Sequence, residues 1–153
     1  MKAKCIYNKG EDLRAYENKS LRKEELGRFG ATGYTEYGQL EIGKEYLVMG
    51  MIFFESYLAY LIDDSGIISA CPCQLFETTD NKVNPDWHFR LVEKDEDMYP
   101  YIQGILGYVE LCLDKKSYEK LVVERDQEAM QTYYKRKIEL EKSLSDNVSS
   151  NNI

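Results

Sequence analysis

From Glu45 to Gly66 the chain reads EYLVMGMIFFESYLAYLIDDSG, two apolar runs rich in β-formers, separated by Glu55-Ser56 and closed by Asp63-Asp64-Ser65-Gly66. That pattern predicts two adjacent strands joined as a hairpin, with a second turn after them. Both faces of the first strand are apolar, with Tyr46, Val48, Ile52 and Phe54 on one side and Leu47, Met49, Met51 and Phe53 on the other. A strand of this kind must be covered twice, so a single exposed sheet is ruled out and a further layer is required.

The C-terminal third supplies a candidate cover. A short helix is expected around Gly107 to Leu113 and a longer one from about Ser117 to Lys142, in which Tyr118, Leu121, Val122, Ala129, Tyr133 and Leu140 share a stripe. The polar remainder, residues 143–153, lacks periodicity and is expected to be disordered. Between hairpin and helices, IISACPCQLFETTD predicts a third strand, confined to an edge or a bulge by Pro72, which has no N–H to donate. DWHFRLVE predicts a fourth, with Trp87, Phe89 and Leu91 on one face and His88, Arg90 and Val92 on the other. Lys2 to Tyr7 reads as a short opening strand. Residues 10 to 42 carry five glycines and little periodicity, so they are expected to be mostly loop, long enough to be either functional or mobile.

The run LEIGKEYLVMGM, then YLAYLIDDSG, CPCQLFETTD and WHFRLVE, resembles small bacterial proteins with an SH3-like β-barrel, several of them immunity-protein-like members of polymorphic toxin systems. The residues carrying the resemblance are Leu40, Gly43, Lys44 and Tyr46, then Tyr60, Asp63 and Asp64, then Pro72, Leu75, Phe76 and Glu77, and last Trp87 and Phe89. It spans roughly residues 1–93, bears on fold, and carries no catalytic residue to this chain. The expected class is therefore α+β: a small SH3-like antiparallel β-barrel over residues 1–97, with helices from residues 98–142 packed on it.

No apolar run approaches the ~20 residues that a membrane helix needs. The first residues, MKAKCIYNKGEDLR, lack the apolar block of a secretory signal. A cytoplasmic setting is expected, where the four cysteines remain thiols. Cys71-Pro72-Cys73 puts two sulfurs on one face of a strand, but a structural zinc site calls for four ligands, commonly in Cys-x-x-Cys pairs. Cys5, His88 and Cys112 would complete a set only if folding gathered them, and a redox pair also calls for the missing spacing. A strand that contains sulfur is the expectation, with no metal and no cofactor. His88, the one histidine, has neither a Gly-x-Ser-x-Gly elbow nor a suitably placed cysteine to serve. Gly27, Gly30 and Gly33 lack the flanking strand and Lys-Ser or Lys-Thr of a phosphate loop. Asp63-Asp64-Ser65-Gly66 lacks the ligand alternation of a calcium loop.

Charge is distributed unevenly. Residues 36–97 hold 13 Asp and Glu against 4 Lys and Arg, whereas residues 1–35 are net +3 and residues 98–153 net −1. An acidic middle repels nucleic acid and anionic lipid and steers basic partners inward. Within it, Glu93, Asp95, Glu96 and Asp97 lie beside Tyr99 and Tyr101, combining carboxylates with rigid amphipathic contact area. These six, with Asp63 and Asp64, are the candidate partner-binding residues. A non-enzymatic module that neutralises a basic cognate toxin is the leading expectation. The alternative is a nucleic-acid- or ribosome-associated small barrel using the N-terminal cations and Lys135-Arg136-Lys137 beside Tyr133 and Tyr134. A homodimer through the doubly apolar strand is compatible with either.

Overall fold

The computed structural model describes residues 1–151. Eight strands form two antiparallel sheets: β1 (Lys2–Cys5), β2 (Glu45–Leu47), β3 (Gly50–Phe54), β4 (Leu58–Asp64), β5 (Ile67–Pro72), β6 (Phe76–Asp80), β7 (His88–Leu91) and β8 (Ile102–Gly107). One sheet has the order β2-β1-β6 and the other β5-β4-β3-β8-β7. Helices are α1 (Gly10–Leu13), α2 (Val109–Leu113) and α3 (Gln127–Ser150), with a π-helical turn at Glu119–Val123. The α+β class holds. Both sheets are open, each with two free edge strands, and no closed barrel is present among the described residues.

The five-stranded sheet is the middle of three layers. Along β4, Ala59 and Leu61 enter a core shared with Leu111, Leu121, Tyr133 and Leu140 of the helices, while Tyr60 and Ile62 enter a second core with Ala3, Leu13, Leu40 and Phe76. Double cover is thus achieved, by the helices on one face and by the small sheet and the 10–42 segment on the other. The predicted single strand Glu45 to Phe54 is split, because the chain passes from one sheet to the other at Val48 and Met49. Gly50 permits the crossing: a Cβ there would stand 3.0 Å from the Leu106 carbonyl oxygen and 3.1 Å from the Leu111 side chain. Likewise the predicted third strand breaks at a 3-10 turn, Cys73–Leu75, and continues as β6 in the other sheet. Pro72 ends β5, an edge strand, as its missing N–H requires.

Three further expectations change. Residues 10–42 are packed: Leu13, Phe29, Ala31 and Leu40 are buried, and the Arg14 guanidinium donates to the carbonyls of Lys23 and Glu25 at 3.1 and 2.6 Å. The predicted helix from Ser117 is interrupted at Arg125, whose φ is +54°, and restarts with the Asp126 carboxylate accepting from the Ala129 N–H at 2.9 Å. The helix also continues past Lys142 to Ser150, where disorder was expected. Leu144 extends its apolar stripe onto the core, and Ser145, Ser149 and Ser150 turn their hydroxyls back onto carbonyls four residues earlier. The last part of the predicted tail, residues 152–153, lies outside the described residues.

Candidate functional site

Asp63 and Asp64 are neighbours on β4, so their side chains leave opposite faces of the sheet and cannot form one site. Asp63 faces the helices, where it accepts from the Tyr133 hydroxyl at 2.8 Å and from Lys137 Nζ at 2.8 and 3.1 Å. Asp64 faces the other way, accepting from Lys44 Nζ at 2.6 Å and the Tyr46 hydroxyl at 2.8 Å. The Lys44 hydrogen bond, opposed by burial and supported by Tyr46, holds the Asp64 carboxyl below its ordinary range. Burial, with Asp64 beside it, pushes the Tyr46 hydroxyl up to about 12. Only 8% and 11% of these two carboxylate side chains remain exposed. Both are internal pins of the fold, and their expected place on a binding surface is corrected on that ground.

The remaining six candidates lie on the loop joining β7 to β8, where the structure divides them. Glu96 points inward, 8% exposed, and takes both its oxygens to Nη1 of Arg90 at 2.7 and 2.8 Å. It also accepts from the Glu93 N–H at 3.0 Å. Desolvation alone would raise its pKa, but the Glu93 N–H and the Arg90 cation together outweigh burial and hold the carboxyl low. Glu96 is thus a clamp beneath the loop, which corrects its expected role as a contact residue. Glu93, Asp95 and Asp97 are exposed above it. Tyr101 is 62% exposed and leans on Phe54 with ring centroids 5.0 Å apart, and Tyr99 is 36% exposed.

Across from this loop, the π-helical turn closes a cleft of about 480 Å³ whose walls include Asp95, Asp97, Tyr101, Lys116, Tyr118 and Val123. Lys115 reaches Glu93 at 3.0 Å and Lys116 reaches Asp97 at 3.6 Å. Such exposed pairs contribute at most ~1 kcal/mol and are readily exchanged for a partner's cations. Chemically, the arrangement offers carboxylates and tyrosine faces on a fixed backbone, which suits recognition of a cationic surface.

Other groups offer less. Burial pushes the thiols of Cys5, Cys71, Cys73 and Cys112 up, away from the thiolate that nucleophilic or metal chemistry needs. Among the described residues no three His, Cys, Asp or Glu side chains gather as a metal set. A second cleft, about 690 Å³, lies between α3 and residues 82–88 and is bordered by Trp87, His88, Tyr108, Arg136 and Leu140. Its histidine donates from Nδ1 to the Asp86 carbonyl at 3.1 Å, and its arginine is held by Glu110 and by Glu139. Sequence reasoning found neither this cleft, which joins segments far apart in the chain, nor the Arg90 clamp, which spans only six residues but depends on the loop folding Glu96 back beneath itself; the one available hint was Arg90 standing on the inward face with Val92. No helix among the described residues is long and apolar enough to cross a membrane. No family model, curated protein or solved structure matches this chain.

Proposed function

We propose that this chain is a non-enzymatic protein-binding module that receives a basic protein on the loop from Glu93 to Tyr101, and that the partner is a toxin it neutralises in the cytoplasm. The toxin and the SH3-like family come from the resemblance of the strand motifs. The binding surface rests on one structural observation, the Arg90–Glu96 pair beneath the loop, in which both carboxylate oxygens accept from Nη1. A loop fixed in advance loses little conformational entropy when a partner docks, so its exposed carboxylates and tyrosines are more effective than the same residues on a free chain. Glu93, Asp95, Asp97, Tyr99 and Tyr101 remain in the proposed interface; Asp63, Asp64 and Glu96 support the fold behind it.

Of the Lys135-Arg136-Lys137 run on which the nucleic-acid alternative draws, two cations are already engaged by carboxylates of this chain. Arg136 is held by Glu110 and Glu139, and Lys137 by Asp63, so of that run Lys135 alone has no carboxylate within 4.0 Å among the described residues. The test is capture of partners at moderate salt by the wild type and by the triple variant Glu93→Gln, Asp95→Asn, Asp97→Asn. A basic protein held by the first and lost by the second supports the proposal. Recovery of RNA or ribosomal proteins by both overturns it.

A further inference from the structure

β7 is an outer strand of the five-stranded sheet, and its register against β8 shows which of its backbone groups are free. Val92 donates to the Gln103 carbonyl at 2.9 Å, in the register that pairs Leu91 with Gly104, Arg90 with Ile105 and Phe89 with Leu106. Antiparallel pairs alternate between bonded and non-bonded, so Arg90 and His88 turn their backbone groups to β8, whereas Phe89 and Leu91 turn theirs outward. The same two residues have the exposed side chains, 56% for Phe89 and 69% for Leu91. The edge therefore presents two donors and two acceptors flanked by two uncovered apolar groups.

The strand is also held in place, and its outward positions are open. The Phe89 ring lies over Gly104, where a Cβ would stand 3.1 Å from it, and meets Phe53 edge-on at 5.7 Å. Arg90 between them leaves by the opposite face and is held by Glu96. Edge strands are ordinarily blunted by lysine, proline or a bulge at outward positions, and β7 has none of these there.

We propose that β7 is a docking strand: an extended segment of the partner adds antiparallel to it, apolar side chains over Leu91 and Phe89 and a lysine or arginine opposite Glu93. The inference rests on the chain being a protein-binding module and specifies how the partner engages it. Charge complementarity selects the occupant, since β7 runs directly into Glu93, Asp95 and Asp97, and Glu93 shares the face of Phe89 and Leu91 by alternation. A second copy fits less well. In the register that pairs Phe89 with Leu91, Arg90 would face its own counterpart, and two four-residue strands bury less than the ~1,000 Å² of a stable interface.

The probe is the acetylated, amidated peptide Lys-Thr-Val-Thr-Val-Thr, titrated into the isotope-labelled full chain while backbone amide shifts are followed. The valines would sit opposite Leu91 and Phe89. Shifts should centre on those two amides, and N-methylating the valines should weaken binding about tenfold or more, while N-methylating the threonine between them should not. Replacing the peptide lysine by glutamate should weaken binding about fivefold at low salt. Leu91→Pro removes only an outward N–H, so the β8 ladder stays intact and binding is lost; if that variant does not fold, the N-methylated peptides give the same answer on the native chain. Equal behaviour of the two methylated peptides, or no shift at Phe89 and Leu91 at millimolar peptide, overturns the inference. So does a dimer of the free chain that Leu91→Thr dissolves. Absence of peptide binding together with charge-dependent capture of a basic protein would refute strand addition alone and leave the proposed function standing; peptide binding at β7 without any basic partner would do the reverse.

Discussion

Glu96→Gln is the most informative single change, because it removes one charge from the clamp and almost no volume. The wild-type carboxylate receives two bonds from Arg90 Nη1 and one from the Glu93 N–H. The amide retains one acceptor oxygen and leaves a buried guanidinium whose Nε and Nη2 already have no partner. Breaking a fully buried pair from one side costs ~3–5 kcal/mol. Arg90 keeps 15% and Glu96 8% of their side-chain exposure, so some hydration survives and the expected loss falls to about 2–3 kcal/mol. With a urea slope of ~1–3 kcal/mol per molar for a domain this size, the unfolding midpoint should drop by roughly 1 M. Arg90→Met should also destabilise, by leaving the carboxylate buried without its cation, but the double variant should lose less than the two singles together. The coupling should be about 1 kcal/mol or more, and the slope should be unchanged. A shift below about 0.5 kcal/mol for Glu96→Gln, or strict additivity, would refute the clamp and with it the claim that the loop is fixed in advance.

The same chemistry sets an acid limit. Asp64, Glu96 and Glu110 all have lowered carboxyl pKa values in the folded chain, so their stabilisation is complete above the unfolded range near pH ~4 and is lost as pH falls through the folded values. Thermal midpoints should be flat from about pH 7 to pH 5 and decline below about pH 4.5, less steeply in Glu96→Gln. Asp63→Ala should cost about 2–3 kcal/mol in urea unfolding, since it strands Lys137 and the Tyr133 hydroxyl, yet leave partner affinity unchanged where the native fold is populated. Gly10→Ala would place a Cβ 2.0 Å from the Thr32 carbonyl oxygen and should destabilise by about 2 kcal/mol or more. A calorimetric midpoint unchanged by that substitution would show that residues 10–42 are not packed as described. Tyr101→Ala removes a mostly exposed ring that rests on Phe54, so it should lower the midpoint by no more than about 4 °C and weaken binding of the proposed basic partner by tenfold or more.

How far a sequence discloses such a fold depends on whether a residue's role is local. The doubly apolar strand announces its need for two covers because side-chain alternation is a property of consecutive residues, and Pro72 marks β5 as an edge because a missing N–H is a property of one residue. β8 is invisible by that standard: Gly104 and Gly107 erase its pattern, and their purpose appears only once the Phe89 ring is seen over the first and the Leu111 side chain against the second, 2.7 Å from where a Cβ would be. Missing β8 also hides that β7 is an edge. The acidic residues illustrate the same limit in charge. Adjacent on the chain, Asp63 and Asp64 look like one patch, but alternation sends them to Lys137 and Lys44 on opposite faces, and Glu96 goes to Arg90 beneath its own loop. Three of the carboxylates behind the acidic character of the middle segment are thereby neutralised in the interior. The field a partner meets comes from those left outside, Glu93, Asp95 and Asp97 foremost on this loop. Steering toward this protein should accordingly respond to their neutralisation and to salt, while removal of Asp63 or Asp64 should act through unfolding alone.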